Sequence, residues 1–250
     1  MSEKQKLVAT IEARMTSTRF PGKVLEPICG VPSLEFMIRR VRQSSLVDEV
    51  VVACTVNSED DPIAALCRKL SCGCHRGSED DVLDRVLQAA KACGATAIVE
   101  LTGDCPFVDP MVIDEVVRLY QGQKVDYASN VVERSFPDGF DVQVFSVENL
   151  ERVSALTKDP IDRVHVSSYF YRPGSPFSRA TLTAPPEVHW PELGLTLDEP
   201  DDYRLLCAIA DELDQPLEKF TVLDVVRLLR RRPELLALNE HVRRKTLEEG

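Results

Sequence analysis

The stretch from Val8 to Leu25 reads V-A-T-I-E-A-R-M-T-S-T-R-F-P-G-K-V-L, and it changes character after Ala13. Residues 7–13 form a compact apolar run with the length and composition of a buried strand. Arg14, Arg19 and Lys23 follow, and no acidic residue stands between Ala13 and Glu26. Open parallel α/β sheets bind ligands outside the carboxyl ends of their strands, so this junction predicts an anion site. Arginine supplies a bidentate fork and lysine a point charge, a mixture suited to several phosphate groups. Gly22 eases the turn that folds these side chains inward, and backbone N–H groups add further donors. Composition alone leaves a solvated basic loop open as the alternative. Position directly after the first strand favours phosphate.

The rest of the chain makes that loop unusual. Its 250 residues carry a formal net charge of −11, which excludes broad, sequence-independent nucleic-acid binding. Hydrophobic residues at 44% and charged residues at 28% are ordinary for a globular enzyme with one substantial core. No apolar run approaches the ~20 residues of a membrane helix, and M-S-E-K-Q-K-L-V opens without an apolar leader. The expectation is a cytoplasmic protein that engages no membrane.

Further from the loop, residues 50–54 and 97–101 repeat the buried-strand pattern, and amphipathic stretches at 34–41, 62–70 and 82–93 lie between the strands. Ser78 is the candidate N-cap of the last. Strands alternating with helices predict βαβ units and a parallel sheet covered on both faces. From Val125 the pattern loosens. Strands are expected at 127–130 and 140–145, with turn chemistry in F-P-D-G at 136–139. A helix is expected at 162–171 and strands at 178–183 and 194–197. Helices at 200–213, 222–231 (capped by Thr221) and 233–247 close the chain. This is one α/β domain over residues 1–250, with an inserted region near 124–190.

A second polar loop belongs at the same sheet edge. In L-T-G-D-C-P-F-V-D-P, Asp104 follows the third strand-like run and offers the oxygen ligand that Mg²⁺ prefers. Gly103, Asp104 and Pro106 also read as simple turn formers. An acidic residue and a basic loop converging on one edge suit a metal–nucleotide site better than either does singly. No G-x-x-x-x-G-K-[ST] occurs, nor G-x-G-x-x-G after the first strand, which counts against a P-loop NTPase and a dinucleotide-binding dehydrogenase. Cys67, Cys72, Cys74 and His75 form the densest group among eight cysteines, but their spacing lacks paired C-x2-C knuckles. Free, packed thiols are expected, with no stoichiometric zinc.

Taken together, I-E-A-R-M-T-S-T-R-F-P-G-K-V-L resembles the nucleotide-binding signature of the sugar cytidylyltransferases, especially the spore-coat polysaccharide synthesis branch. That branch is similar to the CMP-Kdo and CMP-sialic acid synthetases. H-R-G-S-E-D-D-V-L-D-R, L-T-G-D-C-P-F-V-D-P, Y-A-S-N with F-P-D-G-F-D-V-Q-V-F, and L-T-L-D-E-P-D-D-Y match as well, so the resemblance covers nearly the whole chain. It implies a GT-A-like nucleotidyltransferase fold, a mostly parallel central sheet flanked by helices with a small inserted β region. It implies CTP as co-substrate and Mg²⁺ as cofactor. Ala13, Arg14, Ser17, Arg19 and Lys23 would surround the triphosphate, and Arg76, Gly77 and Ser78 would help read the cytosine or ribose. Asp104 and Asp198 would ligate the metal. Asn130, Asp138, Asp141 and His165 would face the acceptor. Homodimers are common among relatives. Two departures stand out: Glu12 replaces a more familiar Pro or Gln, and Val164 replaces the Glu of R-E-H-V-T. The implied reaction is attack of an acceptor oxygen on the α-phosphorus of CTP, giving a CMP-activated product and pyrophosphate. A sugar acid for surface polysaccharide is the expected acceptor, with a phosphorylated non-sugar molecule as an alternative. A glycosyltransferase using a nucleotide sugar is a further alternative, which the absence of D-x-D disfavours. A nucleotide-binding protein without turnover is disfavoured by the retention of Asp104 and Asp198.

Overall fold

Val8, Ala9 and Ile11 have no exposed surface, so the first strand, β1 (Leu7–Glu12), must lie in the middle of the molecule. Full burial of the Val8 and Ile11 side chains contributes about 1.5–3 kcal/mol each. The computed structural model of the protein describes residues 5–213, 215–216 and 218–244. After β1 come the basic loop and a small hairpin, β2 (Pro27–Ile28) with β3 (Val31–Pro32). Three strands then join β1 in parallel: β4 (Glu49–Thr55) and β6 (Ala97–Thr102) on either side, and β5 (Gly73–Gly77) outside β4. The connections are helices α1 (Ser33–Val41), α2 (Asp61–Lys69) and α3 (Val82–Ala92). This is the βαβ architecture that the alternating pattern predicts.

Helix α4 (Pro110–Gln123) leads into the later part of the chain. Strands β7 (Tyr127–Ser129), β8 (Gln143–Ser146) and β9 (Arg179–Thr181) extend the same sheet, giving the order β5-β4-β1-β6-β8-β7-β9. Strand β8 runs antiparallel to β6 and to β7, while β9 is parallel to β7. Helices α5 (Val147–Leu156), α6 (Pro160–Val164), α7 (Ser168–Tyr171), α8 (Pro200–Leu213) and α9 (Val222–Arg231) complete the chain. One face of the sheet packs Ile11, Val52 and Leu101 against α1, α2, α4, α8 and α9. The other packs Val8, Val51, Ala53 and Ile98 against α3, α5 and α7. Because strand side chains alternate, Thr10 and Glu12 share the second face with Val8.

Several expectations need correction. Helix α3 is capped by Asp81, which accepts from the Asp84 N–H at 2.9 Å, whereas Ser78 Oγ accepts from the Asp81 N–H at 3.1 Å. The helix expected at 162–171 breaks into α6 and α7, with Val166 at φ 44° between them. The strand expected at 194–197 is only a single bridge between Asp138 and Gly194. A 3-10 turn at Pro233–Leu238 replaces most of the expected final helix, and residues 245–247 lie outside the described residues. Helices α4 and α5 were not foreseen. Their caps are orthodox, with Asp109 accepting from the Met111 N–H at 2.8 Å and Ser146 from the Asn149 N–H at 3.0 Å.

Candidate active site

A cleft of about 260 Å³ opens at the carboxyl edge of β1 and β6, lined by Ala13, Arg14, Ser17, Arg19, Lys23, Asp104, His165 and Asp198 among others. The two polar loops of the sequence therefore meet there. Gly103 makes the approach possible: a Cβ at that position would sit 2.5 Å from the Glu12 carbonyl oxygen, and the Gly103 N–H donates to that oxygen at 2.8 Å. Across the cleft, the Leu197 N–H donates to the Asp104 carbonyl at 2.7 Å, which sets Asp198 beside Asp104.

Lys23 joins the two carboxylates. Its Nζ lies 3.3 Å from Asp104 Oδ2 and 2.9 Å from Asp198 Oδ1. Arg19 Nη2 lies 2.9 Å from the same Asp198 oxygen. Burial alone would raise the Asp104 pKa, but the adjacent ammonium outweighs it and holds the carboxyl below its ordinary range. Burial would likewise lower Lys23, and Asp104 and Asp198 together keep it raised and charged. Lys23 is itself 9% exposed, so the loop residue is built into the structure rather than free in solvent. Arg19 Nη1 stands 3.5 Å from Glu199 Oε1, buried and without a hydrogen-bond partner among the described residues. A guanidinium nitrogen at the cleft that has an ion pair but no hydrogen bond suits an incoming anion.

The basic loop is pinned from beneath. Buried Asp60 accepts from the Met15 N–H at 2.7 Å and from the Thr55 N–H at 2.8 Å, tying the loop to the end of β4. Glu79 accepts from Thr16 Oγ1 at 2.6 Å and from Asn57 Nδ2 at 2.6 Å, and these hydrogen bonds lower its pKa. Gly22 closes the turn at φ 77°, with its N–H donating to the Met15 carbonyl at 2.9 Å. Neither Asp60 nor Glu79 was singled out from sequence. S-E-D-D-P at 58–62 offered only a generic helix start.

The remaining sequence-derived candidates divide. His165, at the end of α6, lines the cleft. Arg76, Gly77 and Ser78 are not among its lining residues. Arg76 braces the loop after β4, donating to the Thr55 carbonyl at 2.8 Å, the Asn57 carbonyl at 2.7 Å and Asp61 Oδ1 at 2.6 Å. Asn130 is 1% exposed, and its amide is engaged with the Phe140 carbonyl and the Val142 N–H, both at 2.8 Å. Asp138 and Asp141 stand together, and between them lies a cation the sequence reading missed. Arg134 grips Asp141 with two contacts of 2.8 Å and reaches Asp138 at 3.2 Å. The i, i+4 spacing of Arg134 and Asp138 was the available signal. Burial, with Asp141 nearby, pushes Asp138 up to about 6.

A second carboxyl pair lies at the floor. Glu12 lines the cleft from β1, and Glu100 on β6 is 2% exposed. Their positions are diagonal on one sheet face, since Thr10 pairs with Glu100 and Glu12 with Thr102. Glu12 Oε1, Glu100 Oε2 and Thr10 Oγ1 are all buried without a hydrogen-bond partner among the described residues. Arg85 of α3 is the nearby cation, but its described hydrogen bonds go to the carbonyls of Ala53, Ser78 and Glu79. Burial drives both carboxyls upward, Glu12 to about 7 and Glu100 well above its ordinary value. Elsewhere, Cys54 joins the cysteine group, with its Sγ 3.6 Å from that of Cys74. Among the described residues all eight cysteines are free, and no group of three or more His, Cys, Asp or Glu is arranged to hold a metal ion.

Residues 8–188 match the family model described as cytidylyltransferase. The spore coat polysaccharide biosynthesis protein SpsF of Bacillus subtilis is 32% identical over 231 residues, covering 90% of this chain and 94% of the relative. A cytidylyltransferase structure from Leptospira borgpetersenii superposes with a TM-score of 0.87 at 30% identity, covering 93% of this chain and 97% of the other. A CMP:2-keto-3-deoxy-manno-octonic acid synthetase complexed with CTP shares the fold, with a TM-score of 0.63 at 16% identity over 83% of this chain and 99% of that one.

Proposed function

This chain belongs to the cytidylyltransferase family of nucleotidyltransferase enzymes, and we propose that it couples CTP to a sugar acid destined for surface polysaccharide. The observation that carries this reading is the pair Asp104 and Asp198, bridged by Lys23 and flanked by Arg19, whose Nη1 is buried, ion-paired to Glu199 and without a hydrogen-bond partner among the described residues. A site that holds two carboxylates and a surplus of cations in one cleft suits a polyanion together with its counter-ion. Arg14, Ser17, Arg19 and Lys23 bind the triphosphate and offset its charge. Asp104 and Asp198 present hard oxygens around the Lys23 ammonium, so the residues fit Mg²⁺, which they would hold as carboxylate ligands. When bound there, Mg²⁺ supplies charge stabilisation at the reacting phosphate.

The acceptor oxygen attacks the α-phosphorus in line, and pyrophosphate leaves on the opposite side. Positioning is the chain's main contribution. Asp138 and Asp141, joined by Arg134, are not among the residues that line the cleft but lie within electrostatic reach of Asp104, and they would meet the acceptor together with His165, which does line it. Two aspartates alone would repel an acidic acceptor; Arg134 between them reduces that repulsion and admits a sugar carboxylate. The enzyme works in the cytoplasm as a homodimer, and light scattering at micromolar concentration checks the latter through a mass near twice that of the chain. Pyrophosphate release measured with CTP, UTP, GTP and ATP against a panel of sugar acids and phosphorylated alcohols tests the reaction. CTP with a sugar acid should give the fastest release. Equal rates with all four nucleotides would remove the cytidylyl assignment.

A further inference from the structure

Asp198 stands outside the strands, on a segment tied to the sheet by the bridge between Asp138 and Gly194 and by the hydrogen bond from Leu197 to Asp104. Side-chain contacts complete its placement, and they divide its two oxygens. Oδ1 turns to Lys23 Nζ and Arg19 Nη2, both at 2.9 Å, on the cleft side. Oδ2 turns the other way. It accepts from Thr196 Oγ1 at 3.2 Å and lies 3.8 Å from Arg244 Nη1. Thr196 Oγ1 in turn accepts from that same Nη1 at 2.9 Å.

Arg244 secures the backbone of Asp198 as well. Buried Asp202 accepts through Oδ2 from the N–H groups of Asp198 at 3.1 Å and Glu199 at 2.9 Å. A buried carboxylate is costly without a cation, and Arg244 grips both of its oxygens, Nη2 to Oδ1 at 2.8 Å and Nη1 to Oδ2 at 3.1 Å. Asn239 Nδ2 adds a contact of 2.9 Å to Oδ1. Gly194 leaves the space for this guanidinium, since a Cβ there would collide with it. Arg244 is not among the residues that line the cleft, so it reaches the site through Asp198.

We propose that Arg244 is a positioning residue for nucleotidyl transfer: through Thr196 and Asp202 it aims Asp198 Oδ1 into the cleft, where that oxygen would serve the metal. This rests on the reading of Asp104 and Asp198 as the metal carboxylates, and it adds the part of the chain that holds one of them. A guanidinium suits the task because it grips a carboxylate with two nitrogens and still donates to a further acceptor. Fixing the far oxygen of a ligand orients the near one before the ion arrives, which raises metal affinity without touching the nucleotide.

The test compares wild type, Arg244→Met and Thr196→Val by calorimetric titration of Mg²⁺ into the protein with a non-hydrolysable CTP analogue bound. The affinity for the analogue itself is measured without Mg²⁺, and thermal unfolding is recorded for each protein. Arg244→Met should weaken Mg²⁺ binding about tenfold or more, while affinity for the analogue without metal stays within about twofold, because the loop cations are untouched. Thr196→Val removes the hydroxyl between Arg244 and Asp198 and leaves the Asp202 contacts in place. It should weaken Mg²⁺ binding about threefold with little change in unfolding. Thr196→Val carries the test alone if Arg244→Met does not fold. Unchanged Mg²⁺ affinity in the folded variants overturns the inference, as does a loss matched by an equal fall in metal-free affinity for the analogue. Wild type that binds both probes while the variants equal it refutes only the role of Arg244. Wild type that binds the analogue but no Mg²⁺ refutes the metal reading and the inference with it, and wild type that fails to bind the analogue refutes the nucleotidyltransfer reading itself.

Discussion

Two carboxyl pairs sit in one cleft, and they are treated in opposite ways. Asp104 and Asp198 share Lys23, and Arg19 closes on Asp198 as well, so each of the two carboxylates has a cation in contact. Glu12 and Glu100 lie deeper, have orphaned oxygens, and face a guanidinium whose described hydrogen bonds are made elsewhere. Burial penalises charge in both places. In the first pair neighbouring cations overcome it, and Asp104 is held ionised. In the second they do not, and Glu12 rises to about 7. The same residue chemistry, a few strand positions apart, thus yields a pair held ionised and a pair ready for a proton.

The largest effect belongs to the ionised pair. Asp104→Asn keeps the shape but removes the charge, and turnover should fall by about a hundredfold or more while CTP still binds through the loop cations. Pyrophosphate release alongside CTP titration separates the two. A variant with normal turnover would break the contrast at its stronger end. Next comes Arg19→Ala, which removes the Nη1 donor and a partner of Asp198. CTP affinity should weaken about tenfold, with the acceptor KM little changed. Arg134→Met should do the reverse, raising the KM for a sugar acid about tenfold and leaving CTP affinity within about twofold, because it frees two aspartates beside the acceptor.

The remaining effect lies with the protonated pair and is read in stability rather than in turnover or affinity. Glu12 has a folded pKa of about 7 against an ordinary value of 4.5. Folding therefore takes up a proton between those values, so its stabilisation is complete below pH 4.5 and is lost as pH climbs through about 7. Urea unfolding should show wild type losing about 2 kcal/mol from this source between about pH 5 and pH 8. Glu12→Gln should flatten that slope. An unchanged slope would mean that the two pairs do not differ as described.

Much of the first pair was legible in the sequence because it is built from local signals. A strand followed by a basic loop, and a strand followed by G-D, place their polar residues at one sheet edge once the βαβ pattern is recognised. The convergence of Lys23 on both carboxylates was not legible, since Asp198 lies 175 residues away and arrives through a backbone hydrogen bond from Leu197 to Asp104. The burial of Lys23, 9% exposed although it stands in a polar loop, was hidden for the same reason. Glu12 was noticed only as a departure, and Glu100 was hidden in the strand V-E-L-T. A lone glutamate in a buried strand gives no hint of what faces it. Edge strand β5 escaped because G-C-H-R-G carries no hydrophobic alternation, and β8 and β7 joined the main sheet through pairings that local pattern cannot specify. Helix α4 was masked by its own start, D-P, which read as the end of the metal loop.

The account turns on Lys23, which alone among the described residues contacts both Asp104 and Asp198 through one atom. Calorimetric titration of Mg·CTP into wild type and Lys23→Ala, each first shown to unfold cooperatively, measures its role directly. Losing a charge-assisted contact to the triphosphate should weaken CTP binding by about 1.5–3 kcal/mol. The folded variant should also lose thermal stability without Mg²⁺ and regain it when the ion is added, because two carboxylates are left without their shared counter-charge. Equal CTP affinity in the two proteins, with no Mg²⁺-dependent stability difference, would contradict the assignment of this cleft as a metal–nucleotide site.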